Sequence, residues 1–131
     1  MKRRTTKTSD PFLTVRTVGL TLPGVEAGTK YDGSPVLKVG GAFMAGLATH
    51  PSAEPATLVV RVDLEERSTL LAEASDTYYL TDYYERHPVV LVRLSRIDRE
   101  ALRDLLSVSR RLTLEKSRRR PAHGSPTYAL W

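Results

Sequence analysis

The chain has 131 residues, enough for one ordinary globular domain. Its apolar content of 40% and charged content of 27% are typical of a protein that folds around a single core. It contains no cysteine, which excludes a disulfide scaffold, a thiolate metal site and a cysteine nucleophile. The net charge of +5 and the pI near 9.7 are those of a basic protein, a class in which nucleic-acid binders are common.

The positive charge is concentrated at the two ends of the chain. Residues 1–7 and 116–131 contain no acidic side chain and eight basic ones, which are Lys2, Arg3, Arg4, Lys7, Lys116, Arg118, Arg119 and Arg120. Residues 8–115 hold the other 12 basic side chains and all 15 acidic ones, so this stretch carries a charge of −3. The sequence therefore predicts a mildly acidic body with two cationic arms, and the arms would provide most of the attraction to a polyanion.

No stretch of the sequence resembles a signal peptide or a membrane span. Met1 to Arg4 have the positive charge that begins many signal peptides, but the following apolar stretch, residues 11–22, is interrupted by Arg16. No later stretch approaches the length of a membrane-spanning helix. We therefore expect a cytoplasmic protein without a membrane partner.

The N-terminal half predicts one helix followed by three strands. Asp10-Pro11 is typical of a helix start, and Pro23-Gly24 is typical of the turn after a helix. Gly40-Gly41 indicates a hairpin turn between two strands, and a run of β-branched residues predicts a third strand. The expected ranges are 10–21 for the helix and 36–39, 42–47 and 58–62 for the strands.

The C-terminal half predicts two helices and two strands. Asp63 and Glu66 have the spacing of a capping box before a helix, and Asp98 is suited to cap the last helix. Tyr78-Tyr79-Leu80 and the β-branched run after Pro88 predict strands. The expected ranges are 64–74 and 99–113 for the helices, and 78–80 and 89–94 for the strands.

This order predicts a single α+β domain of the form α-β3-α-β2-α. Neighbouring strands joined by short links favour an antiparallel sheet, with the helices packed on one side of it. The expected organisation is a flexible basic arm over residues 1–8, the domain over 9–115 and a flexible basic tail over 116–131.

Three stretches, in order and with the right spacing, resemble the MmcQ/YjbR family of small bacterial proteins. The similarity covers roughly residues 10–114. The first stretch runs from Leu22-Pro23-Gly24-Val25-Glu26 to Pro35-Val36-Leu37-Lys38-Val39-Gly40-Gly41, the second is Leu58-Val59-Val60-Arg61-Val62-Asp63 with Glu65-Glu66-Arg67, and the third is Pro88-Val89-Val90-Leu91-Val92-Arg93-Leu94.

The resemblance implies an α-β3-α-β2-α domain that is related in shape to frataxin-like (CyaY-like) proteins and to secretion chaperones. The family is described as DNA-binding largely because its shape is compared with a double-wing motif, which is an argument by analogy. The chain departs from the family pattern in places; for example, Tyr83 stands where a histidine is common, and His87 stands where a tyrosine is common.

Three basic residues in predicted strands are candidates for contacts from the folded body. Strand alternation places the Lys38 side chain on the opposite face of the sheet from its apolar neighbours. Arg61 and Arg93 also lie in strands. These side chains could converge on the open sheet face beside Tyr79 or Tyr84, where cations and aromatic rings suit single strands or an anionic ligand. The alternative is an ordinary polar sheet face with cross-strand pairs.

A tyrosine-rich segment before Pro88 is a candidate protein-binding surface. Tyrosine side chains are good interface anchors, and the segment offers Tyr79, Tyr83 and Tyr84 together with His87. The alternative explanation is strand propensity and core filling, which the same residues would satisfy.

No group of residues has the pattern of a catalytic or metal site. The three histidines, His50, His87 and His123, have no carboxylate or second histidine at ligand spacing. No serine lies in a nucleophile elbow. We therefore expect a non-enzymatic protein without metal or cofactor. The leading prediction is sequence-non-specific binding of DNA or RNA, mainly through the arms. The alternatives are a protein-binding adaptor or chaperone-like module, and a binder of a small anion or nucleotide at the sheet face.

Overall fold

The computed structural model describes residues 10–119, with side chains up to Lys116. Four helices and six strands lie in this part of the chain. The helices are α1 (Leu13–Gly19), α2 (Leu64–Glu73), α3 (Asp82–Glu85) and α4 (Arg99–Arg119). The strands are β1 (Val25–Thr29), β2 (Pro35–Val39), β3 (Ala42–Leu47), β4 (Thr57–Arg61), β5 (Tyr78–Tyr79) and β6 (Val89–Arg93).

All six strands form one antiparallel sheet in the order β1-β2-β3-β4-β6-β5. Gly40 and Gly41 form the β2–β3 turn with φ angles of +60° and +78°, a conformation that glycine adopts without steric cost. The α+β fold class and the antiparallel sheet predicted from the sequence are confirmed.

Each face of the sheet has its own hydrophobic cluster. The face that we call the helical face packs against α1, α2 and α4, with buried residues such as Leu37, Val60 and Leu106. The opposite face, which we call the outer face, has a smaller cluster around Phe43 and Tyr84, covered by α3 and the β3–β4 loop. The three long helices therefore lie on one side, as expected, and only the short α3 lies on the other.

The structure adds two short elements that the sequence pattern does not predict. β1 is an edge strand in which only Val25 is buried, so it lacks the apolar alternation that marks a half-buried strand. α3 has only four residues and begins at Thr81, whose side-chain oxygen accepts a hydrogen bond from the Tyr84 backbone N–H.

The last helix is longer than the sequence pattern predicts. α4 continues past Thr113 to Arg119, so the boundary expected for the C-terminal tail, at residue 116, falls inside this helix. The N-terminal arm and residues 120–131 lie outside the described residues. No helix between residues 10 and 119 has the length and apolar character to cross a membrane.

Helix α4 crosses the helical face towards the β2–β3 turn. The Ser109 hydroxyl donates a hydrogen bond to the Met44 carbonyl in β3, over 3.2 Å. Further along the helix, the Leu114 side chain lies so close to Gly40 that a β-carbon at that glycine would be 3.3 Å from it. The C-terminal part of α4 is therefore anchored at the end of the sheet where the β2–β3 turn lies.

Thr113 in α4 should be replaceable by valine with a gain in stability. Its side chain is buried, and its hydroxyl has no hydrogen-bond partner among the residues described. Valine has the same shape and branching and removes the unsatisfied polar group, so Thr113→Val should raise the free energy of unfolding by about 1 kcal/mol. Urea unfolding followed by circular dichroism would measure it. Thr69→Val, on the exposed surface of α2, is the matched control and should change stability by less than about 0.5 kcal/mol; an equal gain there would contradict the explanation.

Candidate functional site

Lys38 and Arg61 lie on either side of Phe43 on the outer face. Lys38 of β2 is the register partner of Phe43 in β3, and the Arg61 Nε of β4 donates a hydrogen bond to the Phe43 carbonyl over 2.9 Å. Because β2 and β4 both border β3, their backbones are separated by roughly 10 Å. Two of the three strand cations predicted from the sequence therefore lie close together, near the β2–β3 turn.

The basic end of α4 reaches the same end of the sheet. Lys116 is exposed and follows Leu114, which lies beside Gly40 of the turn, by less than one helical turn. The helix backbone continues through Arg118 and Arg119. We use the name cationic end for Lys38, Arg61 and Lys116, which lie on two elements of the sheet and on the helix that packs against it.

Three acidic residues lie near the cationic end: Glu26, Asp63 and Glu115. Asp63 follows Arg61 by two residues, and its carboxylate accepts a hydrogen bond from the Glu66 backbone N–H at the start of α2. Glu26 of β1 is the register partner of Lys38, and no ion pair joins them in residues 10–119. Glu115 of α4 is paired with Arg111 over 3.6 Å, as expected for residues four apart on a helix. The acids of α4 otherwise lie in its first half, at Glu100 and Asp104, so positive charge predominates towards the C-terminal end of the helix.

Arg93 lies at the other end of the outer face and is bound by several groups. It is four residues beyond Val89, the register partner of Arg61, which corresponds to roughly 13 Å along β6. Its guanidinium forms two hydrogen bonds of 2.9 Å with the Glu54 carboxylate and lies 4.3 Å from the centre of the Tyr79 ring. It also donates to the carbonyls of Ser75 and Asp76.

This environment explains the titration of the Arg93–Glu54 pair. The hydrogen bonds from Arg93 are the main cause that lowers the pKa of the Glu54 carboxyl, and the same bonds raise the pKa of Arg93. The ion pair holds the loop after β3, which contains Glu54, against strand β6, which contains Arg93. Arg93 was expected to contribute to a binding face together with Lys38 and Arg61, but its position and its partners make it a structural residue, and we leave it out of the cationic end.

The tyrosine segment divides into buried and exposed residues. Tyr84 is fully buried, and its hydroxyl accepts a hydrogen bond of 3.1 Å from the His50 backbone N–H. Burial is the main cause that raises the pKa of the Tyr84 phenol. The Tyr79 hydroxyl bonds to Thr57 and to the Glu54 backbone N–H. Tyr84 therefore cannot contact a partner directly, which corrects the prediction that it lies on an interaction surface.

Tyr83 and His87, like Tyr79, are half-exposed members of the predicted interaction surface. The Tyr83 ring stacks on the His50 ring with centroids 3.6 Å apart and an angle of 10° between the planes. The His87 ring lies 5.7 Å from Tyr83, and burial, followed by the charge of Arg86, lowers the pKa of its imidazole. The stacked pair with His50 was not predicted, because His50 is more than thirty residues away in sequence.

The remaining predicted contact residues cannot be placed by the structure. Lys2, Arg3, Arg4, Lys7 and Arg120 lie outside the described residues, and for Arg118 and Arg119 only the helical backbone is described. Residues 10–119 contain no group of three or more histidine, aspartate or glutamate side chains that could hold a metal ion.

Comparison with known families identifies the chain. The model of the YjbR family matches residues 20–112, which is well over half of the sequence. The chain belongs to the YjbR family. The match covers all six strands and most of α4. The family similarity therefore includes Lys38 and Arg61 but not the basic arms. The resemblance to the MmcQ/YjbR family predicted from the sequence is confirmed. No curated protein and no solved structure is significantly similar to this YjbR-family chain.

Proposed function

We propose that this YjbR-family protein binds nucleic acid without sequence specificity and without catalysis, through the cationic end and the basic arms. The observation that carries the proposal is the arrangement of Lys38, Arg61 and Lys116 around the end of the sheet where α4 terminates. Lysine and arginine side chains neutralise phosphates and release counterions, an attraction that needs no particular base sequence.

The arms supply most of the contacts in this proposal. Eight of the 20 basic residues lie in residues 1–7 and 116–131, where there are no acids. The folded part adds Lys38 and Arg61, whose strands are roughly 10 Å apart. That spacing lets the two cations contact neighbouring phosphates of one strand, with Lys116 of α4 at the same end of the sheet.

The test is the salt dependence of DNA binding by the full chain. Fluorescence anisotropy with a labelled 20-base-pair duplex would give the association constant over a series of salt concentrations. For duplex DNA the slope of log K against log salt is about −0.9 for each phosphate contact. Replacing Lys38, Arg61 and Lys116 together by glutamine should therefore make the slope less steep by between about 2 and 3.

The matched control removes three positive charges far from the cationic end. Arg96, Arg99 and Arg103 are exposed near the start of α4, and their replacement by glutamine should leave the slope nearly unchanged. Arg61→Lys, which keeps the charge but not the geometry of the bond to Phe43, should retain its phosphate contact. Equal effects of the two triple variants would show that only net charge matters. That result, or no binding at low salt, would overturn the proposal.

A further inference from the structure

A groove between α2 and α4 has no role in the proposed function. It has a volume of about 210 Å³. Its apolar lining comes from Leu70, Tyr78, Ala101, Leu105 and Val108, and its carboxylates are Glu66 and Asp104. It therefore combines an apolar floor with negative charge, and it lies on the opposite half of α4 from the cationic end.

Helix α2 is incompletely covered by the rest of the described chain. None of its ten residues is buried, and Leu64 at its first position is 62% exposed. A helix of a globular domain normally buries one apolar face against its neighbours. Leu70, on the groove side, is only half-buried, so a further segment lying in the groove would complete the packing of α2 against α4.

The groove lies in a negative field. Burial is the main cause that raises the pKa of the Tyr78 phenol at the groove floor, and four carboxylates raise it further: Asp98, Glu66, Asp104 and Glu73. No basic side chain lines the groove. Arg99 and Arg103 are exposed on α4 but do not belong to the lining. An occupant should therefore be cationic, with long aliphatic stems that can lie on the apolar floor.

The first described residue, Asp10, lies towards the half of α4 that lines the groove. Gly24, after α1, lies against Val39 at the end of β2, close to the β2–β3 turn. Gly19, the last residue of α1, lies against Leu37, which is further from that turn, so α1 runs towards the turn. Helix α4 moves away from the same turn when followed backwards, from Leu114 to Ser109. Helices α1 and α4 therefore run in the same direction, and residue 10 lies towards the beginning of α4.

The arm is long enough to reach the groove from there. Nine residues precede Asp10, and an extended chain of that length spans roughly 30 Å. Crossing α4 requires roughly 10 Å, the diameter of a helix with its side chains. Arg118 and Arg119 lie at the other end of α4, at least ten positions beyond Val108, so the N-terminal arm is the better-placed cationic segment.

We propose that residues 1–9 cross α4 and dock in the groove between α2 and α4. Lys2, Arg3, Arg4 and Lys7 provide four positive charges without an acid among them. In the docked state they pair with Glu66 and Asp104, while their aliphatic stems cover Leu70 and Leu105. The inference does not rest on the proposed function, because the docking occurs without nucleic acid.

The first test is zero-length cross-linking of the full chain at low salt. A carbodiimide joins a lysine amine to a carboxylate only when the two are in contact, and peptide mass spectrometry identifies the pair. We expect cross-links from Lys2 or Lys7 to Glu66 or Asp104. A mixture of ¹⁴N- and ¹⁵N-labelled protein should show that both peptides come from the same molecule. Cross-links that are mainly between labelled and unlabelled chains would overturn docking within one chain in favour of a second copy.

The second test follows the arm by nuclear magnetic resonance. The chain has no cysteine, so Thr5→Cys can carry a nitroxide label at one position. We expect the label to broaden the methyl signals of Leu70, Leu105 and Val108 at low salt, with the signals recovering in 1 M salt.

Charge variants of the groove provide the control for the second test. Glu66→Gln with Asp104→Gln should reduce the broadening several-fold. Glu65→Gln with Glu100→Gln removes the same charge from exposed positions of the same two helices outside the groove lining, and should change little. Unbroadened groove methyls in the labelled low-salt sample, or equal losses in the two double variants, would overturn the proposal.

Discussion

Replacing Tyr84 by alanine is expected to destabilise the domain by about 3 to 5 kcal/mol, the range for removing a large aromatic side chain from a core. Tyr84 is one of the largest fully buried side chains, and it packs in the outer-face cluster with residues such as Val36 and Leu91. Its loss leaves a cavity between α3 and the sheet, and it also removes the hydroxyl that accepts the His50 backbone N–H.

Urea unfolding followed by far-ultraviolet circular dichroism would measure the change, and Tyr84→Phe separates its two causes. Phenylalanine keeps the ring and loses only the hydrogen bond, so it should cost about 1 kcal/mol. Near-ultraviolet circular dichroism of Tyr84→Ala should also change, because Tyr84 contacts both members of the Tyr83–His50 stack at ring centroid distances of 4.9 and 6.1 Å. A loss below about 1 kcal/mol for Tyr84→Ala would show that this cluster does not stabilise the fold.

The fold could be predicted from the sequence where the local signals are strong. The β-branched runs of β4 and β6, the glycine pair of the β2–β3 turn and the capping residue Asp63 each indicate their element directly, and the Asp63 side chain does accept the Glu66 backbone N–H. The extension of α4 to Arg119 was missed because its last turns are polar and show no apolar periodicity. An edge strand such as β1 has too few buried residues to leave a pattern.

Only one aspect of the candidate site could be predicted from the sequence, namely the sheet face to which strand alternation assigns each side chain. Alternation placed Lys38 on the face away from Leu37, and the structure has Leu37 in the helical-face cluster. The partner of Arg93 could not be predicted, because Glu54 lies in a loop 39 residues away and loop positions follow no period. The groove between α2 and α4 was also missed, because it depends on how two helices distant in sequence approach each other.

Arg67 is a second position where a substitution should have a large effect. The guanidinium of this α2 residue connects the helix to the stretch from the end of α3 to the start of β6. One terminal nitrogen donates to the carbonyls of Glu85, His87 and Val89 over 3.3, 2.9 and 3.2 Å. Because α2 has no buried residue, these bonds are a principal link between the helix and the sheet.

Arg67→Met keeps much of the aliphatic stem and removes the donor, so it should lower the free energy of unfolding by about 2 to 3 kcal/mol, in line with hydrogen bonds that involve a charged group. Arg86→Met is the matched control, since Arg86 is exposed on the same segment; it should cost less than about 0.5 kcal/mol.

Hydrogen exchange provides a second measurement. Amides of α2 should exchange faster in Arg67→Met, because the lost bonds hold this helix. Amides of β4 should still exchange only through global unfolding, at the rate that the free energy of unfolding of each variant sets. Equal stability of the two variants would show that solvent replaces the arginine without cost, and α2 would then be held by Leu70, Leu71 and Ala74 alone.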